Sequence, residues 1–122
     1  MSIATITGLA GCASHAYQPG YVNGTVSLQQ ALPLPPATTT VRVRLLDASG
    51  DVSSLLGEQT LEKPARFPLA FSLCYDKQAV KTGGRYVIQS QVYVDGELRL
   101  QNAQPVEAFK AEHPEVKVEL IR

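Results

Sequence analysis

Two cysteines and two histidines are the residues of this sequence best suited to covalent or metal chemistry. Cys12 lies in the stretch GLAGCAS, residues 8–14, where it is an ordinary thiol, half of a disulfide or the attachment point of a lipid. Cys74 closes a stretch of alternating apolar residues, and a free cysteine is usually a small buried hydrophobe. Two cysteines are too few for a disulfide framework, and sequence alone does not pair them.

The histidines lack the neighbours that catalysis or metal binding requires. His15 lies in a small polar segment and His113 precedes Pro114 in a charged loop. Neither has a cysteine, serine or carboxylate in the pattern that nucleophilic enzymes use. A zinc site needs three or four convergent ligands. Most carboxylates fall at expected turns, and Asp76 is suited to capping a short helical turn. We therefore predict no enzymatic activity, no metal and no cofactor.

Length and charge restrict the kinds of partner. With 122 residues, 44% of them hydrophobic, the chain is long enough for one core and too short for two. Its 11 basic and 11 acidic residues balance and form no basic run, so the positive surface that nucleic-acid binding needs is missing. No apolar run reaches the roughly 18 residues of a transmembrane helix. We expect neither a nucleic acid nor a small-molecule substrate.

The first 20 residues differ in composition from the rest. Residues 1–11 are uncharged and partly apolar, which is typical of the end of a signal peptide, and residues 13–20 are small, polar and turn-forming like a tether. A complete signal runs about 15–30 residues from a basic start. We therefore interpret residues 1–20 either as a truncated signal with its tether or as a frayed terminus, and residues 21–122 as one domain.

The domain alternates between apolar and polar residues in short stretches, which indicates strands. Asp95-Gly96 is a strong hairpin signal between two of them. Seven strands are predicted, at residues 21–29, 41–45, 55–62, 67–73, 86–94, 97–101 and 116–120. A turn or two of helix is expected near residues 76–80. The fold class is all-β, a small antiparallel β-sandwich with a small β-barrel as the alternative.

The apolar face of these strands predicts the core. Pro68 has no N–H to donate, so its strand should lie at an edge of the sheet or begin there. The expected core residues are Val26, Val43, Leu45, Leu61, Phe67, Leu69, Phe71, Ile88, Val92, Leu98, Val118 and Leu120.

Six features follow one another along the domain: Gly24-Thr25-Val26, ALPLPP, VRVRLLDAS, Gly57-Glu58-Gln59-Thr60, FPLAFSLCYD, and Tyr86 with the Asp95-Gly96 hairpin. Their order resembles the YscW-type lipoprotein family, which includes the type III secretion pilotin ExsB and the YbaY-like envelope lipoproteins. The resemblance covers residues 21 to about 106. In addition, LAGC at residues 9–12 is similar to a lipobox, at which a lipoprotein signal is cut before the cysteine.

This resemblance implies a lipid on Cys12 and a binding function. Ala13 differs from the Asp that resembles an inner-membrane retention signal, so the resemblance implies the periplasmic face of the outer membrane. The folded domain of a pilotin holds a C-terminal segment of the secretin subunit and helps the secretin ring to assemble. The alternative is a YbaY-like envelope lipoprotein of structural or unassigned role, with no secretin client.

The partner is expected to bind either an exposed sheet edge, as an added strand, or an apolar groove, as an amphipathic helix. Alternation places four apolar residues on the side away from the core, among uncharged polar ones. A partner gains from burying such a surface without stripping water from charges. We therefore predict a binding patch made of Leu46, Val87, Tyr93 and Ile121.

Overall fold

A computed structural model describes residues 17–121, which form eight strands and two single turns of 3-10 helix. The turns are Pro36–Thr38 and Lys77–Ala79. The strands are β1 (Pro19–Leu28), β2 (Thr39–Asp47), β3 (Ser54–Glu62), β4 (Leu69–Asp76), β5 (Tyr86–Val94), β6 (Glu97–Gln101), β7 (Val106–Glu107) and β8 (Glu115–Leu120). All seven predicted strands are present, and the two-residue β7 is additional. Within this part of the chain, no helix has the length and apolar character to cross a membrane.

The strands form one sheet in the order β3-β2-β5-β6-β8-β1-β4, with β7 beside β5. Strand β8 joins the two halves, because its first residues pair in parallel with β1 and its last residues pair with β6. The outermost strands, β3 and β4, approach each other. The side-chain oxygen of Gln59 accepts a hydrogen bond from the Ser72 amide at 2.8 Å. The all-β prediction is confirmed, and the small-barrel alternative describes this nearly closed sheet.

Local signals account for where several elements begin and end. The β5–β6 hairpin turns at Asp95 and Gly96, whose φ angles of 54° and 80° match the predicted turn. Asp76 caps the turn Lys77–Ala79 by accepting a hydrogen bond from the Gln78 amide at 3.0 Å. Strand β4 begins directly after Pro68 and ends the strand order, so the prediction for Pro68 is confirmed.

Alternation places most of the predicted core correctly. Leu61, Phe67 and Leu69 are partly buried against this core. Full or nearly full burial is found for Val26, Val43, Leu45, Phe71, Ile88, Val92 and Val118.

Two predicted core residues are exposed instead. Leu98 is 37% exposed, because a register shift after Val92 pairs Leu98 with the outward-facing Tyr93 and leaves Leu100 to fill the core. Leu120 is 49% exposed, because β8 ends there at an open end of the barrel.

The prediction that Cys74 is a buried hydrophobe is also wrong. Phe71 and Leu73 point inward from β4, so alternation directs Cys74 outward, and its thiol is exposed. Its sulfur lies 3.0 Å from the hydroxyl oxygen of Tyr17. Strand geometry therefore outweighs the usual preference of cysteine for the interior.

Candidate partner-binding surface

Two of the four predicted binding residues are buried. Leu46 and Val87 lie opposite each other on β2 and β5, and both are buried outside the main core cluster. Leu46 sits where the pairing with β3 shifts by one residue, and Val87 is flanked on its other side by Glu107 of β7. The expectation that these two side chains face solvent is therefore wrong, because neither the bulge nor β7 is visible in the alternation.

The other two residues lie at the far end of the barrel, Tyr93 on β5 and Ile121 directly after β8. Tyr93 pairs with Leu98 of β6, and the Ile121 amide donates to the carbonyl of Arg99 on the opposite side of β6. Tyr93 lies six positions after Val87 on β5, a length of about 20 Å. The four residues therefore do not form one exposed patch.

The surface around Tyr93 is more charged than expected. The Arg42 guanidinium lies 5.1 Å from the centre of the Tyr93 ring, which is a cation–π distance. Arg42 and Arg44 both approach the Glu58 carboxylate, at 3.4 Å and 3.1 Å. Because these charges cover the outer face of β2 and β3, a partner would have to strip water from them to bind there.

An apolar groove opens instead at the end of the barrel where β1 and β8 finish and β6 begins. Its floor is formed by buried Leu100 and Val118, and one wall is formed by exposed Leu120 and Ile121. Its volume is about 470 Å³. We call it the leucine groove; its lining is Gln29, Gln30, Leu32, Leu100, Val118, Glu119, Leu120 and Ile121.

The opposite wall is formed by Gln29, Gln30 and Leu32, which belong to a loop, residues 29–38, that contains three prolines. Its start is fixed by the Gln29 amide, which donates to the Val118 carbonyl at 2.8 Å. Its end is fixed by the Thr39 hydroxyl, which donates to the Pro35 carbonyl at 2.6 Å. Prolines at 33, 35 and 36 restrict φ and have no N–H to leave unpaired. The wall is therefore stiff and formed in advance.

A second recess lies on the other side of Leu32. Its volume is about 230 Å³, and its lining adds Leu34, Val94 and Arg99 to residues of the leucine groove. Together the two recesses offer aliphatic side chains in concave sites with polar groups at their margins. This arrangement suits the apolar side chains of a protein segment, which gain free energy by leaving water. Elsewhere in residues 17–121 as well, no three metal-binding side chains converge.

Sequence reasoning missed most of this groove. The ALPLPP stretch, residues 31–36, contributed to the family resemblance but was assigned to no binding site, and Leu120 was assigned to the core. Of the predicted binding residues, Ile121 lines the groove. A signal was present in the loop, where Leu32 and Leu34 alternate with prolines. Solvent-exposed turns seldom need two leucines.

Cys12 lies outside the described residues. The described chain begins at Tyr17, at the end of the barrel opposite the leucine groove, where Pro19 pairs with Asp76. The hydrogen bond with Cys74, followed by desolvation and nearby negative charge, raises the pKa of Tyr17 to about 12. This phenol therefore remains protonated at neutral pH.

Comparisons with known proteins identify a family and a similar solved structure. The model of the type III secretion system lipoprotein chaperone family (YscW) matches residues 18–120. The structure of an alternative pilotin from the type II secretion system of Vibrio cholerae has a TM-score of 0.76 and 23% sequence identity. That match covers 86% of this chain and 99% of the other. It establishes similarity of fold. No curated protein matches significantly.

Proposed function

We propose that this chain is the pilotin of a type III secretin. The chain belongs to the family of type III secretion system lipoprotein chaperones (YscW), and this membership is the premise of the proposal. In this role it binds the C-terminal segment of the secretin subunit and aids its delivery to the outer membrane and its assembly. The observation that carries the proposal is the family match, which spans residues 18–120 and thus almost the whole folded domain.

The leucine groove is the proposed site for the secretin segment. It presents Leu120 and Ile121 beside a stiff wall, so binding buries apolar area at a small cost in conformational entropy. An amphipathic helix fits this chemistry, because its apolar stripe enters the groove while its polar face stays near Gln29, Gln30 and Glu119. Tyr93 remains a proposed contact only at the margin of the groove, on the side of its exposed partner Leu98 and not over the charged face of β2 and β3.

Strand addition is the less favoured mode. The outermost strands β3 and β4 face each other, and the Ser72 amide already donates a hydrogen bond to the Gln59 side chain. A partner strand would have to displace that contact and separate β3 from β4. The groove needs no such rearrangement.

Cys12 is the proposed lipid site and membrane anchor. The LAGC stretch precedes a polar tether, and the family is described as one of lipoproteins. Acyl chains gain about 0.8 kcal/mol for each buried methylene, so several chains on one cysteine anchor a protein stably. Labelled palmitate should attach in cells that express the gene with a complete signal and should be lost in Cys12→Ser. Labelling that persists in Cys12→Ser would contradict the assignment.

The binding site is tested by titrating a synthetic peptide of the cognate secretin C-terminal segment into the protein. Replacing Leu120 by Ala should weaken binding by roughly 1–2 kcal/mol, a five- to thirty-fold increase in Kd. Leu55→Ala is a matched control, since Leu55 is the same residue type, is exposed to a similar degree and lies at the other end of the barrel. Equal losses in both variants would contradict the groove.

The type of client is tested with the same assay. Peptides from type II and type III secretins are titrated against the unmodified chain, and the type III peptide should bind more tightly. If neither peptide binds while palmitate still labels Cys12, the chain is an envelope lipoprotein without a secretin client. That is the YbaY-like alternative.

A further inference from the structure

Exposed apolar side chains gather at the two ends of the barrel. Across residues 17–121, the exposed large apolar side chains number eight, and three of them, Leu98, Leu120 and Ile121, lie at the groove end. The remaining five lie at the opposite end, where the described chain begins and where Asp47 pairs with Tyr86. We call this surface the aromatic end; it consists of Tyr17, Tyr21, Val52, Leu55 and Phe109.

The aromatic end has the composition of a surface that rests at a membrane interface. Tyr17 and Tyr21 are 56% and 61% exposed, and a tyrosine combines an apolar ring with a hydroxyl that stays in the headgroup region. Phe109 is 45% exposed, and its ring is held in place by contacts with the rings of Tyr75 and Tyr86, at centroid distances of 5.5 Å and 5.8 Å.

Charges at this end are mixed, so attraction to anionic lipids is not the main contribution. Lys77, Lys81, Arg85 and Lys110 are exposed there, Asp51 and Glu107 are exposed beside them, and Arg85 pairs with Glu107 at 3.6 Å. The favourable term is instead the burial of aromatic and aliphatic surface at the headgroup boundary.

The short length of the tether limits which end of the barrel can contact the bilayer. This step rests on the proposed lipid at Cys12. Four residues separate Cys12 from Tyr17, so their Cα atoms lie at most about 18 Å apart. Strand β1 has 10 residues and spans about 30 Å from the aromatic end toward the groove.

We propose that the aromatic end is a second membrane contact, which packs on the lipid surface and holds the leucine groove facing away from it. The lipid supplies the attachment and the aromatic end supplies the orientation. A secretin segment then reaches the groove from the periplasmic side, without competing with the bilayer for the same apolar residues.

Tryptophan fluorescence can test this orientation, because the chain has no tryptophan of its own. Tyr21→Trp reports on the aromatic end and Leu98→Trp on the groove end. Both are placed in the full chain with Cys74→Ser, so that Cys12 alone couples to a maleimide lipid. The vesicles contain phosphatidylethanolamine, phosphatidylglycerol and a lipid brominated in its acyl chains. Circular dichroism checks that each variant is folded.

Brominated lipid should quench the Tyr21→Trp fluorescence several-fold more strongly than the Leu98→Trp fluorescence. Val52→Trp, a second reporter at the aromatic end, should behave like Tyr21→Trp. Equal quenching of both ends, or quenching of neither, would overturn the proposed orientation. Because the coupling to Cys12 is chemical, the result does not depend on native lipidation, which the palmitate experiment tests separately.

Discussion

Tyr17 and Cys74 form a pair whose chemistry can be followed by titration. The hydrogen bond between them is the first cause that raises the pKa of Tyr17 from 10.0 to about 12. A phenol whose pKa is higher in the folded than in the unfolded protein adds stability that is present below about pH 10 and is lost as the pH rises toward 12. The pair is therefore intact under physiological conditions.

Replacing Cys74 by Ala should lower the pKa of Tyr17 toward its ordinary value, because the leading cause of the shift is removed. Absorbance at 295 nm follows the ionisation of the five tyrosines. The unmodified chain should show a late step near pH 12 that Tyr17→Phe abolishes and Cys74→Ala moves to lower pH. Identical titration curves for the unmodified chain and Cys74→Ala would contradict the pairing.

Phe71 links the alternation in the sequence to the stability of the core. It is 3% exposed, and its ring packs against Gly24, where an added Cβ would lie 2.8 Å from the ring Cζ. Phe71→Ala should lower the free energy of unfolding by about 3–5 kcal/mol, because it removes buried apolar surface and leaves a cavity. Urea unfolding measures this. The exposed Leu55→Ala should change it by less than about 0.5 kcal/mol, and a similarly small effect of Phe71→Ala would contradict its burial.

At the residue scale, alternation predicts which face of a strand is buried but not where the register changes. Ile88 and Val92 follow the pattern and are buried. Leu98 breaks it because the shift after Val92 depends on how β6 meets β5, which is a property of the pair rather than of either strand. Leu46 and Val87 were predicted to be exposed and are buried, Leu46 where the pairing of β2 with β3 shifts and Val87 where β7 flanks β5.

At the element scale, β3 and β4 end the strand order, and their close packing rather than a paired ladder brings the two edges of the barrel together. An added Cβ on Gly57 would lie 2.5 Å from the carbonyl oxygen of Cys74, so only glycine lets the two backbones come this close. Two residues further along β3, the Gln59 side chain accepts a hydrogen bond from the Ser72 amide of β4.

Gly57→Ala should therefore separate β3 from β4. We expect a lower thermal midpoint and faster amide hydrogen exchange in both strands, while the amides of central β5 keep their protection. Gly50→Ala is the matched control, because a Cβ there would meet no described atom within 4 Å. If amide hydrogens in β3 and β4 exchange at the same rate in both variants and in the unmodified chain, the contact between β3 and β4 does not depend on the close approach of Gly57 to Cys74.

Connections between strands were harder to predict than the strands. Asn102, in the connection after β6, accepts from the Ser90 amide at 2.8 Å and donates to the Gln104 carbonyl at 2.7 Å. It thereby replaces backbone pairing where β6 leaves β5. The sequence shows an asparagine in a turn and cannot show its distant partner. Likewise, the prolines of residues 31–36 mark the end of a strand but do not reveal that the loop walls a groove.

At the scale of the whole molecule, the choice between sandwich and barrel depends on contacts that no single strand specifies. Strand β8 pairs with β1 through Val118 and with β6 from Glu119 onward, and this double pairing joins two sheets into one curved sheet. The composition of each strand is compatible with either arrangement. The resemblance carried by the ordered motifs predicted the family, which the match over residues 18–120 confirms.

The described chain begins at Tyr17, at the end of the domain opposite the leucine groove, so anchoring through the proposed lipid on Cys12 and peptide binding should be separable by mutation. Cys12→Ser should leave the affinity for the secretin peptide within about two-fold, because the described chain begins about one β1 length, roughly 30 Å, from the groove. In cells, however, the same variant should fail to bring the secretin to the outer membrane.

Leu120→Asp should have the opposite effects, because it places a charge in the apolar groove and leaves the tether unchanged. This variant should fractionate with the outer membrane and lose affinity for the peptide. Calorimetry measures peptide binding, and membrane fractionation measures where the chain and the secretin accumulate. If Cys12→Ser weakened peptide binding in solution as much as Leu120→Asp, the lipid end and the groove would not act independently, and the two-ended arrangement would be wrong.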